Sequence, residues 1–544
     1  VVAALGLAAA ACGGGGGGDG GGAVVRNNPP ENEGTPKRGG EVVYGLEAET
    51  TGGWCLPTAQ LAAGGIEVAT AVYDTLTIPN DDGEIVPYLA ESVEPNDTYT
   101  EFTITLREGI EFHNGEPLDA EAVRTNLEAL RNGLLSQFVL QDVSDVQVVD
   151  PLTVRVTTER PWIAFPGYLW GTGRFGIVAP EQLADRETCP RNLIGTGPFR
   201  ITNCEQTDCG WTPNDKFVAE RNPDYWQKDE NGTQLPYLDQ ITFRPVPDVS
   251  QRVNGLRGGE LDIIHTTDGL QIKNLRRDAE AGEINLVEVD EASEIGYTMF
   301  NVTKPPFDNE KARQAFVYAL DREELAEIQG GGVGEIADQP FDADVPGYVD
   351  PKQLDYPEHD LDRAKELVEE YENETGSELS FTLGAVPDPS IVKTAQIVQS
   401  QMQGAGMAVE ISTTEQTQYI NDTLGGQFQA NLWRNHPGGD PDGQYVWWHT
   451  GSPVNFGRFS DPEIDAALDE GRSETDAARR AEIYRGISEE FARELYNAWI
   501  SYQVWAFPSK PEVKGLFGPQ LPDGNGNQTI RVSVQPTVGI WLDE

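Results

Sequence analysis

From Glu41 to the C-terminus the apolar residues change period repeatedly, from two to 3.6 and back, and a chain patterned in this way must pack helices against sheets. Phe102, Ile104 and Leu106 alternate with Thr103, Thr105 and Arg107, the pattern of a strand with one buried face. Ile110 with Phe112, and Val154 with Val156 after the Asp150-Pro151 turn, extend this strand-rich stretch. It carries one helix, in which Asp119 is the expected cap, Val123, Leu127 and Leu130 the apolar stripe, and Gly133 the expected left-handed stop. Later segments are more helical. Asp308 is expected to cap a helix with Ala312, Ala315, Phe316, Ala319 and Leu320 on one face. Another starts at Asp461 with Pro462 in its first turn, and a third carries Ile483, Ile487, Phe491 and Leu495 on one stripe. No fixed period repeats, which excludes solenoids and propellers. At 544 residues the chain is long enough for two or three packed units.

Charge narrows the possible partners. The 89 acidic residues against 39 basic ones give a net charge of -50, and such a surface repels phosphate backbones and anionic lipid headgroups. No nucleic-acid partner is therefore expected. The acids are spread along the chain, as on a solvated surface, and are not massed in one interaction block.

The N-terminus reads VVAALGLAAAACGGGGGGDGGG. Its first eleven residues fall short of the roughly 20 needed to span a bilayer, but they match the apolar core and small-residue end of an export signal. Ala9-Ala10-Ala11-Cys12 resembles a bacterial lipobox, with Cys12 as the lipidated thiol, although Ala9 stands where a larger aliphatic residue is commoner. Residues 13–40, rich in Gly, Pro, Asn and charge, read as a flexible tether with a mean reach of roughly 30 Å. The expected location is extracytoplasmic, with a lipid anchor holding the protein to the outer face of the cytoplasmic membrane. Four further cysteines, Cys55, Cys189, Cys204 and Cys209, suit two disulfides with three possible connectivities. Cys204 with Cys209 and Cys55 with Cys189 is the preferred pairing. The Cys204/Cys209 spacing, with no histidine nearby, is poor for zinc.

Signatures of catalysis are scarce. There is no G-x-S-x-G elbow, no H-E-x-x-H and no phosphate loop, and the five histidines leave little for acid-base or metal chemistry. Gly171-Thr-Gly173-Arg-Phe-Gly176 fits G-x-G-x-x-G, but Arg191 stands where a dinucleotide site needs an acid, so it reads as a flexible loop. Asp523-Gly-Asn525-Gly-Asn527 begins like a calcium loop, yet Gln528 and Val534 replace the required glycine and glutamate, which leaves a turn. No catalytic residue, cofactor or metal site is assigned.

A series of spaced phrases carries more information: AVYDTL (71–76), PYLAES (87–92), FTITLREGIEFHNGEPLDAEAV (102–123), GTGPF (195–199), RNPDYW (221–226), LPYLDQITFRPVPD (235–248), GGELDI (258–263), PPFDNEKARQAFVYALDRE (305–323) and NFGRFSDPEIDAAL (455–468). In this order they resemble the extracellular solute-binding proteins of family 5, the peptide, nickel and opine binding components of ABC importers, from about Glu41 to the end of the chain.

The resemblance implies an α/β, two-lobed, periplasmic-binding-protein-like fold of type II with an extra domain, the ligand enclosed in a cleft between the lobes. Mapped onto this chain, residues 1–12 end a signal, 13–40 form the tether, and 41–86, 189–294 and 507–544 make up lobe I. Residues 87–188 are its extra domain and 295–506 are lobe II. The implied partners are a small-molecule or peptide ligand, the permease subunits of an ABC importer, and the membrane through the lipid; the protein is expected to be a monomer. Function follows from lobe closure around a small solute, oligopeptide-like or related, that binds the closed form better than the open one and is delivered to the permease without covalent chemistry. An extracytoplasmic hydrolase, or a sensing or chaperone protein on the same fold, is the alternative.

By the same resemblance three loops approach the cleft: Trp54 to Pro57, Trp170 to Arg174 and Trp433 to Asp442. The candidate ligand contacts are Trp54, Trp170, Arg174, Tyr297, Trp433, Arg434, His436, Asp440 and Trp447, with Arg174 or Arg434 available for a carboxylate. Of Trp447 and Trp448, adjacent and so on opposite faces of a strand, one should be structural. Peptide-binding members place an acid just before the DPD-like turn, whereas this chain reads Asn435-His436-Pro437-Gly438-Gly439 before Asp440-Pro441-Asp442, which argues against peptide specificity.

Overall fold

The computed structural model describes residues 25–26, 34–50, 53–134, 136–201, 210–435, 439–531 and 533–543. Cys12, most of the tether, the Cys204–Cys209 pair and His436 lie outside them.

Three sheets organise the described residues. The first has nine strands, and Glu41–Leu46 lies inside it, parallel to both Gln240–Pro245 and Ile263–Ile264. Val42 and Tyr44 of that strand are fully buried, as an interior parallel strand requires. The second sheet has five strands in the order Ala408–Thr413, Ser380–Ala385, Ala430–Asn435, Ile295–Phe300 and Asn497–Tyr502. Every residue of Ile295–Phe300 is buried. The third is a four-stranded antiparallel sheet in the order Ala90–Pro95, Glu101–Leu106, Thr153–Thr158 and Val143–Asp150. There the alternation holds as read, with Phe102, Ile104 and Leu106 inward. Ile110 and Phe112 form no strand, because Phe112 N–H closes a turn onto the Glu116 carbonyl.

Each sheet has its own apolar core, and together they make two lobes with a smaller third body attached. The chain passes between the first and second sheets at residues 290–294 and again at 503–504. Gln503 N–H donates to the Glu294 carbonyl at 2.8 Å, so the two crossings are tied to each other.

Helix ends follow local chemistry, with two corrections. Asp119 accepts from Ala122 N–H and Asp461 from Glu463 and Ile464 N–H, as their N-cap positions demand. Asn309, not Asp308, caps the helix Glu310–Ala319: its side chain accepts from Lys311 N–H, one residue later than expected. Gly133 is not left-handed; a Cβ there would lie 2.3 Å from the Pro57 carbonyl oxygen, so the glycine serves close approach rather than helix termination.

Several of the spaced phrases converge on one buried carboxylate. Asp74 accepts from Trp226 Nε1 at 2.9 Å, Thr196 Oγ1 at 3.1 Å and Tyr225 Oη at 3.2 Å, joining AVYDTL to GTGPF and RNPDYW. Tyr88 of PYLAES meets Tyr225 Oη at 2.9 Å. Gly195 and Gly197 allow this convergence, since a Cβ on them would lie 2.1 and 2.5 Å from the Val72 carbonyl oxygen. Among the described residues a disulfide joins Cys55 to Cys189, the pairing preferred from the sequence.

Candidate functional site

The lobes enclose a cavity of about 1160 Å³. Its walls come from residues near 47–63 and 266–269 in the first lobe, 164–175 in the third body, and 386–391, 415–420 and 432–447 in the second lobe. Glu47 follows the end of the parallel strand Glu41–Leu46, and the carboxyl ends of parallel strands are where α/β folds place ligands.

One wall is aromatic. Tyr297 and Trp433 face each other as paired residues of adjacent strands. Trp433 stacks on Tyr419 at 5.7 Å, and Phe456 packs edge-on against both Trp433 and Trp447. Tyr419 is locked by hydrogen bonds from its hydroxyl to the carbonyls of Gly384 and Leu432. Trp447 lies on the short helix Tyr445–Trp448 and not on a strand, yet the two tryptophans still divide: Trp447 lines the cavity while Trp448 is buried against Phe341 and Phe491. Trp170 lines the cavity beside the Gly171–Gly173 turn, where Gly171, Thr172 and Gly173 all have positive φ. A Cβ on Gly173 would come within 2.8 Å of Thr70, so this glycine-rich stretch is a tight turn laid on the helix Ala63–Val72, not a loose loop. Trp54 is elsewhere: it is 1% exposed, packs against Trp211 and Phe217, and does not line the cavity.

The charged residues differ sharply in how far they are already satisfied. Arg434 ion-pairs with Glu294 at 3.3 Å and Glu47 at 3.7 Å, approaches Thr267 Oγ1 at 3.5 Å and lies over the Trp505 ring. Chiefly through Glu294, its guanidinium is held above its ordinary range despite burial. Asp440 has both oxygens engaged by Arg480, at 2.6 and 2.8 Å, and one of them also accepts from Asp442 N–H. Asp268 and Asp388 cap helices. Arg174 is the contrast: its Nε donates to the Leu61 carbonyl at 3.3 Å, and no carboxylate pairs with it among the described residues. Burial pushes its guanidinium down to about 10, opposed by Glu294. Arg174 is half-buried, and desolvating a cation that has no paired counter-ion is costly.

Sequence reasoning missed Glu47, Glu294, Tyr419 and Phe456. The strand-end position of Glu47 was the available signal; the others acquire meaning only through partners distant in sequence. No histidine or cysteine lines the cavity among the described residues, and no group of His, Cys, Asp and Glu there is placed to hold a metal ion.

The family described as bacterial extracellular solute-binding proteins, family 5 Middle, matches residues 84–457, more than half of the chain. The chain belongs to the family 5 solute-binding proteins. Its relatives in this family include the glutathione-binding protein GsiB of Salmonella paratyphi A, 28% identical over 459 residues and covering 80% of this chain and 84% of that protein. The solved structure of the periplasmic binding protein AgaA of A. tumefaciens R10, in complex with agropinic acid, superposes with a TM-score of 0.79 at 25% identity, covering 93% of this chain and 99% of that one. The ABC transporter-associated periplasmic binding protein DppA of Helicobacter pylori, in complex with the peptide STSA, has a TM-score of 0.77 at 20% identity, with 93% and 99% covered. Both share with this chain the mixed helix-and-sheet fold of the periplasmic binding proteins of this family. Among the described residues no helix is long and apolar enough to cross a membrane.

Proposed function

We propose that this chain is the extracytoplasmic substrate-binding component of an ABC importer, capturing a small organic anion by closing its lobes and delivering it to a membrane permease. Cys12 carries the lipid anchor, residues 13–40 tether the monomer above the outer face of the membrane, and residues 41–86, 189–294 and 507–544 act as lobe I against 295–506 as lobe II. The relatives support the transport role, DppA by its described association with an ABC transporter. The observation that carries the solute class is the difference between the two cleft arginines: Arg434 is neutralised by two glutamates, whereas Arg174 is half-buried and pairs with no carboxylate among the described residues. An acidic group on the solute completes Arg174, and the Tyr297, Trp433 and Trp447 wall takes its apolar body. Asp440, occupied by Arg480, leaves no free acid there for a peptide amino terminus.

Denaturing the purified protein and identifying the released compound by mass spectrometry tests this reading. The expected compound bears a carboxylate or another acidic group, rebinds one-to-one and is recovered unchanged. A neutral or cationic compound overturns the anion assignment, and its consumption overturns transport binding in favour of an enzyme.

A further inference from the structure

The extra body bounded by its four-stranded sheet touches the second lobe through a buried ionic cluster centred on Arg472, in the helix Pro462–Ser473. Arg472 is 0% exposed. Its Nη1 donates to Asp142 of the extra body at 2.6 Å and its Nε to Asp442 of its own lobe at 2.9 Å. The guanidinium lies 3.7 Å from the centre of the Tyr445 ring and 4.5 Å from that of Trp162, one ring from each side. Trp162 Nε1 donates across the junction to Asp442 at 2.7 Å. Around this centre Arg160 reaches Asp469 at 2.6 Å, and Ile163 N–H donates to the Arg472 carbonyl at 3.1 Å. By contrast, the extra body is fused to the first lobe by shared chain and by ties such as His113 Nδ1 and Nε2 to Gly195 N–H and the Gly197 carbonyl.

We propose that this Arg472 cluster is a solute-independent clasp: it forms whenever the extra body meets the second lobe, holds the ligand-free protein closed for part of the time, and releases as the cleft opens. The proposal rests on the lobe-closure reading above. Opening separates Asp142 and Trp162 from Arg472 and Asp442 and returns all of them to water, so the cluster exists only in the closed form. Within that form nearly every polar atom of the cluster has a partner, the condition under which buried charges do not oppose association. A pre-existing closed population raises the apparent affinity for any solute in proportion to that population, whatever its chemistry.

Asp142→Asn keeps the shape but strips Arg472 of one counter-ion, which penalises the closed form, while its pair with Arg160 inside the extra body is lost from the open and closed forms alike. Hydrogen exchange of the Ile163 amide in ligand-free protein reads the junction directly. The expected result is measurable protection in the wild type and exchange at least about tenfold faster in the variant, with amides inside the Glu101–Leu106 strand unchanged. Equal protection in both proteins overturns the clasp, because the junction is then permanent. No protection in the wild type overturns it as well, because closure then needs solute. Should Asp142→Asn fail to fold, Arg160→Gln at the exposed edge of the cluster gives a smaller change of the same sign, and its absence counts against the proposal equally. None of these readouts needs a ligand, so failure of the clasp is distinguishable from failure of the transport reading.

Discussion

Arg174 and Arg434 share a cleft and a charge, but their neighbours differ. Arg434 has its anions within the protein; Arg174 has one carbonyl. Arg174→Gln is therefore expected to weaken binding of the acidic solute by about 1.5–3 kcal/mol, the range for a hydrogen bond to a charged group, while raising the stability of the ligand-free protein. Calorimetric titration with the recovered compound and urea midpoints without it check the two halves. Asp74 supplies a pH signature. Burial raises its carboxyl to about 6, against the donors Trp226, Thr196 and Tyr225, from an ordinary 3.8. A raised acid binds its proton more tightly when folded, so the stability it contributes is fully present below pH 3.8 and lost as pH rises through 6. The stability of the wild type relative to Asp74→Asn should accordingly rise as pH falls from 7 to 4, by roughly 1.4 kcal/mol per unit between the two pKa values, in denaturant titrations at several pH values. A flat difference would show that Asp74 titrates normally.

At the scale of elements, the loop of residues 53–61 is a wall of the cavity only because it is tied down. Cys55 bonds to Cys189 across a sequence separation of 134, Trp54 N–H donates to the Pro190 carbonyl, and Gln182 Nε2 donates to the carbonyls of Trp54 and Cys189. Leu61, at the end of that loop, holds Arg174. Replacing both cysteines with serine is expected to cost about 2–5 kcal/mol of stability and to weaken acidic solutes further, through the slackened Leu61 carbonyl. Thermal unfolding and titration of the double variant check this; unchanged binding would separate the disulfide from the site. The helix Ala120–Arg131 offers a cleaner local test, since Asp119→Ala removes one cap bond and should cost about 1 kcal/mol with no effect on solute affinity.

For the whole molecule, recognition and closure are separable quantities. Arg434 lies in the second lobe and Glu47 and Thr267 in the first, so their contacts form across the cleft irrespective of what fills it. Glu47→Gln should lower affinity for every solute by a similar factor, about 1.4- to fivefold given the partial exposure of the pair, whereas Arg174→Gln discriminates acids from their neutral esters. Titrating one acid and its ester against both variants distinguishes the two effects; equal losses for acid and ester in Arg174→Gln would remove its role in recognition. The crossings at residues 290–294 and 503–504 are where such closure would be accommodated, and Ala292 there has a left-handed backbone at φ 46, a conformation unusual for a residue bearing a Cβ.

The sequence alone determined whatever depends on neighbours along the chain. Period-two alternation placed Phe102, Ile104 and Leu106 on one face, and the Asp119 and Asp461 caps followed from side chains reaching amides two or three residues on. Three of the phrases that resemble the family, AVYDTL, GTGPF and RNPDYW, meet around Asp74. What the tertiary structure decided was the set of partners. Gly133 looked like a helix stop until Pro57 was found against it, and Trp54 looked like Trp170 and Trp433 until it proved to be core. The two arginines were equivalent candidates until Glu47 and Glu294 paired with one of them, while the other's hydrogen bond among the described residues goes to Leu61, 113 residues away. A charge buried in a cleft is defined by what surrounds it in space, and that surrounding set comes from segments that local periodicity does not connect.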